Sequence, residues 1–129
     1  EMQYEYLYGA QAEQFSFYRI PKALFIEPNF RELSTDAKVL YGILLDRMSL
    51  SLKNQWLDAQ NKVYIIFTVE EIMDALNCAN QKATRLMAEL EKQAGLIERK
   101  RQGLGRPNLI YVKNFAATIN DKSCEKGDS

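Results

Sequence analysis

Histidine is missing from this chain of 129 residues. The commonest general base and the commonest metal ligand are therefore both absent. Cysteine is scarce: Cys78 falls in an expected turn and Cys124 in a polar tail. Two thiols without histidine argue strongly against a structural zinc site, and no disulfide between them is expected. Free thiols suit a reducing cytosol. No run of 18 apolar residues occurs, and no basic stretch followed by an apolar core opens the chain, so neither a membrane span nor a secretory signal is expected. A cytoplasmic protein is the reading. No Ser-His-Asp, Cys-His or paired-carboxylate arrangement is present, so a non-enzymatic domain without cofactor or metal is expected.

Net charge is absent too, with 17 basic and 17 acidic side chains. Taken alone, that argues weakly against nucleic acid. The distribution says otherwise. Residues 1–76 hold 7 Lys/Arg and 11 Asp/Glu, a balance of −4. Residues 77–113 hold 8 against 3, a balance of +5, and residues 114–129 return −1. A local basic block is the footprint that matters for phosphate contact.

What is present is an apolar fraction of 47% with 14 aromatic residues, enough for one domain with a core. Ser34 is a good N-cap, and Asp36 suits the positive start of a helix. Ala37, Leu40, Tyr41, Leu44, Leu45 and Met48 then keep the 3.6-residue period to about Leu52. Val63–Phe67 has the composition of a short strand. Thr68 is placed to cap a second helix, and Asn77-Cys78-Ala79 to turn the chain. Asn80 is expected to cap a third helix ending near Gly95, a suitable residue beyond a helix end. Leu96–Gln102 and Leu109–Lys113 are expected strands flanking Gly103-Leu-Gly-Arg-Pro-Asn108. The order is α+β: a winged helix-turn-helix of three helices, a small antiparallel sheet and a wing, preceded by an N-terminal arm. The expected divisions are an arm over 1–16, the winged helix over 17–115 and a tail or linker over 116–129.

The third helix carries the chemistry. Ala83, Leu86, Met87 and Leu90 form its apolar stripe, which leaves Asn80, Gln81, Lys82, Thr84 and Arg85 on the wet side. Asn or Gln can pair with adenine N6/N7, and Arg or Lys with guanine O6/N7. Asn80 is expected to act chiefly as a cap. Thr84 can donate to phosphate, and Lys82 and Arg85 share a face three residues apart. The wing adds Arg99, Lys100, Arg101 and Arg106, with Gln102 and Asn108 beside them. Strand alternation sends Lys100 to the face opposite Arg99 and Arg101. Arg106, at the turn, is best placed for minor groove or flanking backbone.

Other groupings read as structure. Glu70, Glu71 and Asp74 form a solvated helix face near a helix start. The Gly-Leu-Gly-Arg-Pro stretch is a hairpin turn and not a phosphate cradle, because no helix follows it. Tyr4, Tyr6 and Tyr8 alternate; an edge or interface segment is preferred to a base-stacking platform. The apolar residues Phe15, Phe17, Ile20, Leu24, Phe25 and Phe30 should pack on the helical body or on a second subunit. Tyr6, Tyr8, Phe15 and Phe17 are the expected dimer contact.

Four stretches carry a resemblance: Phe17-Tyr-Arg-Ile-Pro-Lys22, Leu33-Ser-Thr-Asp-Ala-Lys-Val-Leu-Tyr-Gly-Ile-Leu-Leu-Asp-Arg47, Val63-Tyr-Ile-Ile-Phe67 and Gly103-Leu-Gly-Arg-Pro-Asn-Leu-Ile-Tyr-Val112. Over about residues 15–115 the chain resembles the N-terminal domain of the replication initiator protein A family, found on plasmids and related elements of low-GC Gram-positive bacteria. The resemblance implies a winged helix that binds double-stranded DNA at repeats of a replication origin as a homodimer. It maps the DNA-reading region onto Asn80–Arg85 and the wing around Arg106. It also implies a linker and a smaller second domain, through which host replication proteins could be met. Two other readings share the architecture: a transcriptional regulator, and a winged helix used for protein contact.

Overall fold

The computed structural model describes residues 3–115. The expected tail and Cys124 lie outside the described residues. After Pro21 the chain makes one helical turn, α1 (Ala23–Ile26), and then a 3₁₀ turn over Pro28–Phe30. These two turns seat Leu24 and Phe30 in the core. The other aromatics of this region stay outside. Phe15, Phe17 and Phe25 are exposed, with Phe15 and Phe17 edge-to-face at 6.3 Å. Phe15–Ile20 runs without strand partners, and the preceding arm forms only a 3₁₀ turn at Gly9–Gln14.

Helix α2 (Thr35–Lys53) starts where the Ser34 hydroxyl accepts from the Ala37 N–H at 3.1 Å. Glu89 completes this cap from another helix. One of its oxygens accepts from the Ser34 N–H at 2.9 Å and the other from the Ser34 hydroxyl at 3.0 Å. A capping box normally takes that acceptor from three residues on, where this chain has Ala37. Leu40, Tyr41 and Leu44 sink into the core along one face of α2. On another face Gly42 lets the segment before Pro21 pass: a Cβ there would lie 2.8 Å from Ile20 Cγ1 and 3.0 Å from the Arg19 carbonyl oxygen.

Helices α3 (Val69–Leu76) and α4 (Asn80–Ala88) form the helix-turn-helix. Thr68 starts α3 with a full capping box: its hydroxyl accepts from the Glu71 N–H at 3.1 Å, and Glu71 accepts from the Thr68 N–H at 2.9 Å. Asn77, at φ +53°, ends the helix in the left-handed region that Asn tolerates. The cap of α4 differs from expectation. Ala79 occupies the cap position in extended backbone and Asn80 is the first helical residue, so the Asn80 side chain does not cap. The third helix does run to the expected end beside Gly95, but its last stretch widens. A π turn over Glu89–Gln93 follows Ala88, and Gly95 at φ +69° reverses the chain. Leu90, inside that turn, remains fully buried.

The wing is an antiparallel pair, β1 (Ile97–Lys100) and β2 (Leu109–Val112), in the register Ile97↔Val112 to Lys100↔Leu109. Strand β1 therefore ends two residues before the expected Gln102. The expected strand at Val63–Phe67 is reduced to isolated bridges. Ile65 exchanges both backbone hydrogen bonds with Ile110 at 2.9 Å, and Leu57 bridges Val63. Its partner strand is only four residues long, and Thr68 opens α3 three residues past Ile65, which leaves little length for a ladder. Trp56 and Tyr64 stack at 6.1 Å on the small loop between these bridges. Asp58 ties the loop to the wing by accepting from the Tyr111 hydroxyl at 3.0 Å. Leu24, Leu40, Leu44, Ile65, Ile72, Leu86, Met87, Leu90, Ile97 and Ile110 form the dry centre where helices and wing meet.

Candidate nucleic-acid interface

Helix α4 divides into two faces. Ala83, Leu86 and Met87 are buried, while Asn80, Gln81, Thr84 and Arg85 are exposed and Lys82 is half-buried. Sequence spacing places these five polar residues on one side, and the structure keeps them there. With capping left to Ala79, the Asn80 side-chain Oδ1 accepts from the Thr84 hydroxyl at 3.4 Å. Asn80 and Thr84 thus sit one turn apart at the helix start, the part of a recognition helix that meets base edges.

Carboxylates stand beside both cations of this helix. Lys82 Nζ lies 2.6 Å from Asp36 Oδ2, in the first turn of α2. Arg85 Nε lies 3.8 Å from Glu89 Oε2, the same oxygen that accepts from the Ser34 hydroxyl. Sequence reasoning missed these partners. Asp36 was expected to serve the helix dipole only. Nothing local to residue 82 indicates a carboxylate 46 positions away, because the pair exists only once α2 and α4 pack.

On the wing the structure sorts the basic residues. Arg99 turns inward and donates from Nε at 2.8 Å and from Nη2 at 2.6 Å to Glu91 Oε1. Its backbone N–H donates to the other Glu91 oxygen at 3.3 Å. Partial burial pushes the Glu91 carboxyl upward, but the Arg99 hydrogen bonds and charge outweigh it and hold the group below its ordinary range. Arg99 is thus a structural cation. Lys100, Arg101, Arg106 and Asn108 are exposed, and among the described residues none of these three cations pairs with a carboxylate. The turn carrying Arg106 is closed by its N–H donating to the Gly103 carbonyl at 3.2 Å, and Gly105 supplies φ +79°. Gln102 Nε2 donates to the Pro107 carbonyl at 2.7 Å and ties the two sides of the wing together. Arg106, Pro107 and Asn108 share a cleft of about 240 Å³ with Thr68 and Val69, at the start of α3. The wing turn and the helix-turn-helix thus border one depression.

No group of three or more metal-ligating side chains occurs among the described residues. Nor is any described helix long and apolar enough to cross a membrane. The arm residues Tyr6, Tyr8, Phe15 and Phe17 are 51–82% exposed, away from the core.

A helix-turn-helix backed by a two-stranded wing, with a polar outer edge on its second helix, defines a winged-helix protein. The model of the replication initiator protein A (RepA) N-terminus matches residues 16–126, and the chain belongs to that family. The 41 kDa protein of Lactobacillus helveticus is 33% identical over 103 residues, which are 80% of this chain and 28% of that protein. The chain thus spans little more than a quarter of the length of this curated relative. Two solved structures share the fold at a TM-score of 0.75 and 36% identity. One, described as the N-terminal domain of a DNA-binding protein, is matched over 98% of this chain and 97% of its own. The other, described as a Rep–DNA complex, is matched over 97% and 96%.

Proposed function

We propose that this domain binds double-stranded DNA at the repeats of a plasmid or mobile-element replication origin and so initiates replication. The observation that carries this reading is the outer edge of α4, where Asn80, Gln81, Thr84 and Arg85 are all exposed while Ala83, Leu86 and Met87 are buried. Membership of an initiator family and likeness to a protein solved with DNA support it. Asn80, Gln81, Lys82, Thr84 and Arg85 enter the major groove. Arg101 and Arg106 hold flanking phosphate or the minor groove, with Lys100 and Asn108 at the periphery. A bidentate pair to a base gives about 1–3 kcal/mol of discrimination, so two or three such contacts suffice to choose a repeat. The domain makes and breaks no bonds itself; opening and copying the origin belong to other replication proteins. The protein works in the cytoplasm as a homodimer joined through Tyr6, Tyr8, Phe15 and Phe17.

Band shifts on duplexes carrying the repeats of the element's own origin test the reading. Arg85→Ala is expected to weaken the repeat more than a scrambled duplex of equal length. Equal loss on both would remove Arg85 from base reading.

A further inference from the structure

The two cations on the outer edge of α4 differ in what holds them. The carboxylate beside Arg85 is already engaged, since both Glu89 oxygens accept from Ser34. Asp36 instead pairs with Lys82 at 2.6 Å, and both side chains are about half exposed, at 50% and 42%. The pair is held from below. Asp36 is followed by Ala37 and Lys82 by Ala83, both fully buried, so the two backbones are fixed by the core at this spacing.

We propose that Asp36 is a positioning residue for DNA selection: it holds Lys82 back from sequence-independent phosphate contact. This inference rests on the reading of α4 as the DNA-facing helix. Non-specific binding is driven by cations that neutralise phosphates and release counterions, each adding about 0.9 to the salt slope. A lysine already neutralised by a carboxylate adds little of this. At a cognate repeat, Lys82 gains a base-edge acceptor such as guanine O6/N7, which offsets the broken pair. On other sequences nothing offsets it. The pair therefore weakens binding to the wrong DNA more than binding to the right one.

The test is fluorescence anisotropy with labelled duplexes, one carrying the origin repeat and one scrambled, over about 50 to about 200 mM salt. Asp36→Asn keeps the side chain's shape and removes its charge. It is expected to tighten the scrambled duplex roughly three- to fivefold, the scale of a lost surface ion pair, and to move the repeat less than about twofold. The scrambled-duplex salt slope should steepen by about 0.9. Lys82→Ala should leave that slope unchanged, and Asp36→Asn placed on Lys82→Ala should add nothing. Thermal melts by circular dichroism check that each variant is folded, and Asp36→Ser serves if the amide is not. Three results overturn the proposal: unchanged scrambled affinity and slope in Asp36→Asn; a gain that persists without Lys82, which is bulk charge alone; or loss confined to the repeat, which makes Asp36 a base acceptor. Failure of the underlying reading looks different, since a wild-type protein that does not prefer the repeat removes both.

Discussion

Glu91 and Arg99 face each other from the π turn and the first wing strand, with Arg99 Nη2 and Nε at 2.6 and 2.8 Å from one carboxylate oxygen. Each side chain is only about a quarter exposed. This pair ties the turn that follows α4 to the wing, and it engages an arginine that composition alone counts among the free basic residues of the wing.

Arg99 and Arg106 should therefore respond in opposite ways to truncation. Arg99→Ala is expected to cost about 1–3 kcal/mol of stability, as loss of a charged hydrogen bond does. Arg106→Ala should leave the melting temperature unchanged, weaken all duplexes alike and flatten the salt slope by about one. Acid titration checks the same pair. Because the Glu91 carboxyl sits below its ordinary 4.5, its stabilisation is intact above that pH and is lost as pH falls through the depressed value. Glu91→Gln should be less stable than wild type at neutral pH and should lose less on acidification.

Tyr41 gives the alkaline counterpart. It is 2% exposed, and its hydroxyl donates to the Lys113 carbonyl at 3.2 Å. Burial disfavours the phenolate and raises the group from 10.0 to about 12. Its contribution is intact below pH 10 and is lost as pH rises from 10 through 12, a change on the order of 2–3 kcal/mol. Tyr41→Phe should lose about 1 kcal/mol at neutral pH with its hydrogen bond, yet fall less steeply above pH 10. Denaturant midpoints across that range decide it, and parallel curves for both proteins would contradict the assignment.

Gly42→Ala should destabilise the domain although Ala is the better helix former by about 1 kcal/mol. The added methyl meets Ile20 Cγ1 at 2.8 Å and the Arg19 carbonyl oxygen at 3.0 Å, so the Arg19–Ile20 segment must move off α2. Overpacking of this kind costs about 1–3 kcal/mol. A melting temperature equal to or above that of the wild type would show that Arg19 and Ile20 are not seated there.

The exposed arm makes its own prediction. Changing Phe15 and Phe17 together to Ser should leave the melt of the monomer unchanged, because neither ring reaches the core. Sedimentation at micromolar concentration should shift from dimer to monomer. A wild-type protein already monomeric there would remove the arm from assembly.

The helices and the wing were legible in the chain because each is marked locally. Ser34 and Thr68 cap as their positions suggest, and the Ala83–Leu86–Met87 stripe is buried as its period requires. Asn80 misled because good cap residues occur at both 77 and 80. The turn used Asn77 for its left-handed step and left the cap to Ala79. Val63–Phe67 has strand residues, but ladder length depends on a partner, and β2 supplies only Ile110. The aromatic arm looked fit for packing, yet its composition could not say that most of its rings stay outside. The pair Arg85–Glu89 has a spacing of four that the sequence shows, but the pairs Lys82–Asp36 and Arg99–Glu91 were hidden for a different reason. Each depends on the packing of elements or the breadth of the π turn, so the basic residues could be counted but not sorted.

The most direct measurement is the affinity of wild type and Arg85→Ala for an origin repeat and for a scrambled duplex, each across a range of salt. The account predicts that wild type prefers the repeat, and that Arg85→Ala loses about 1–3 kcal/mol on the repeat and much less on the scrambled duplex. Equal wild-type affinity for both duplexes, or binding insensitive to salt, would contradict it.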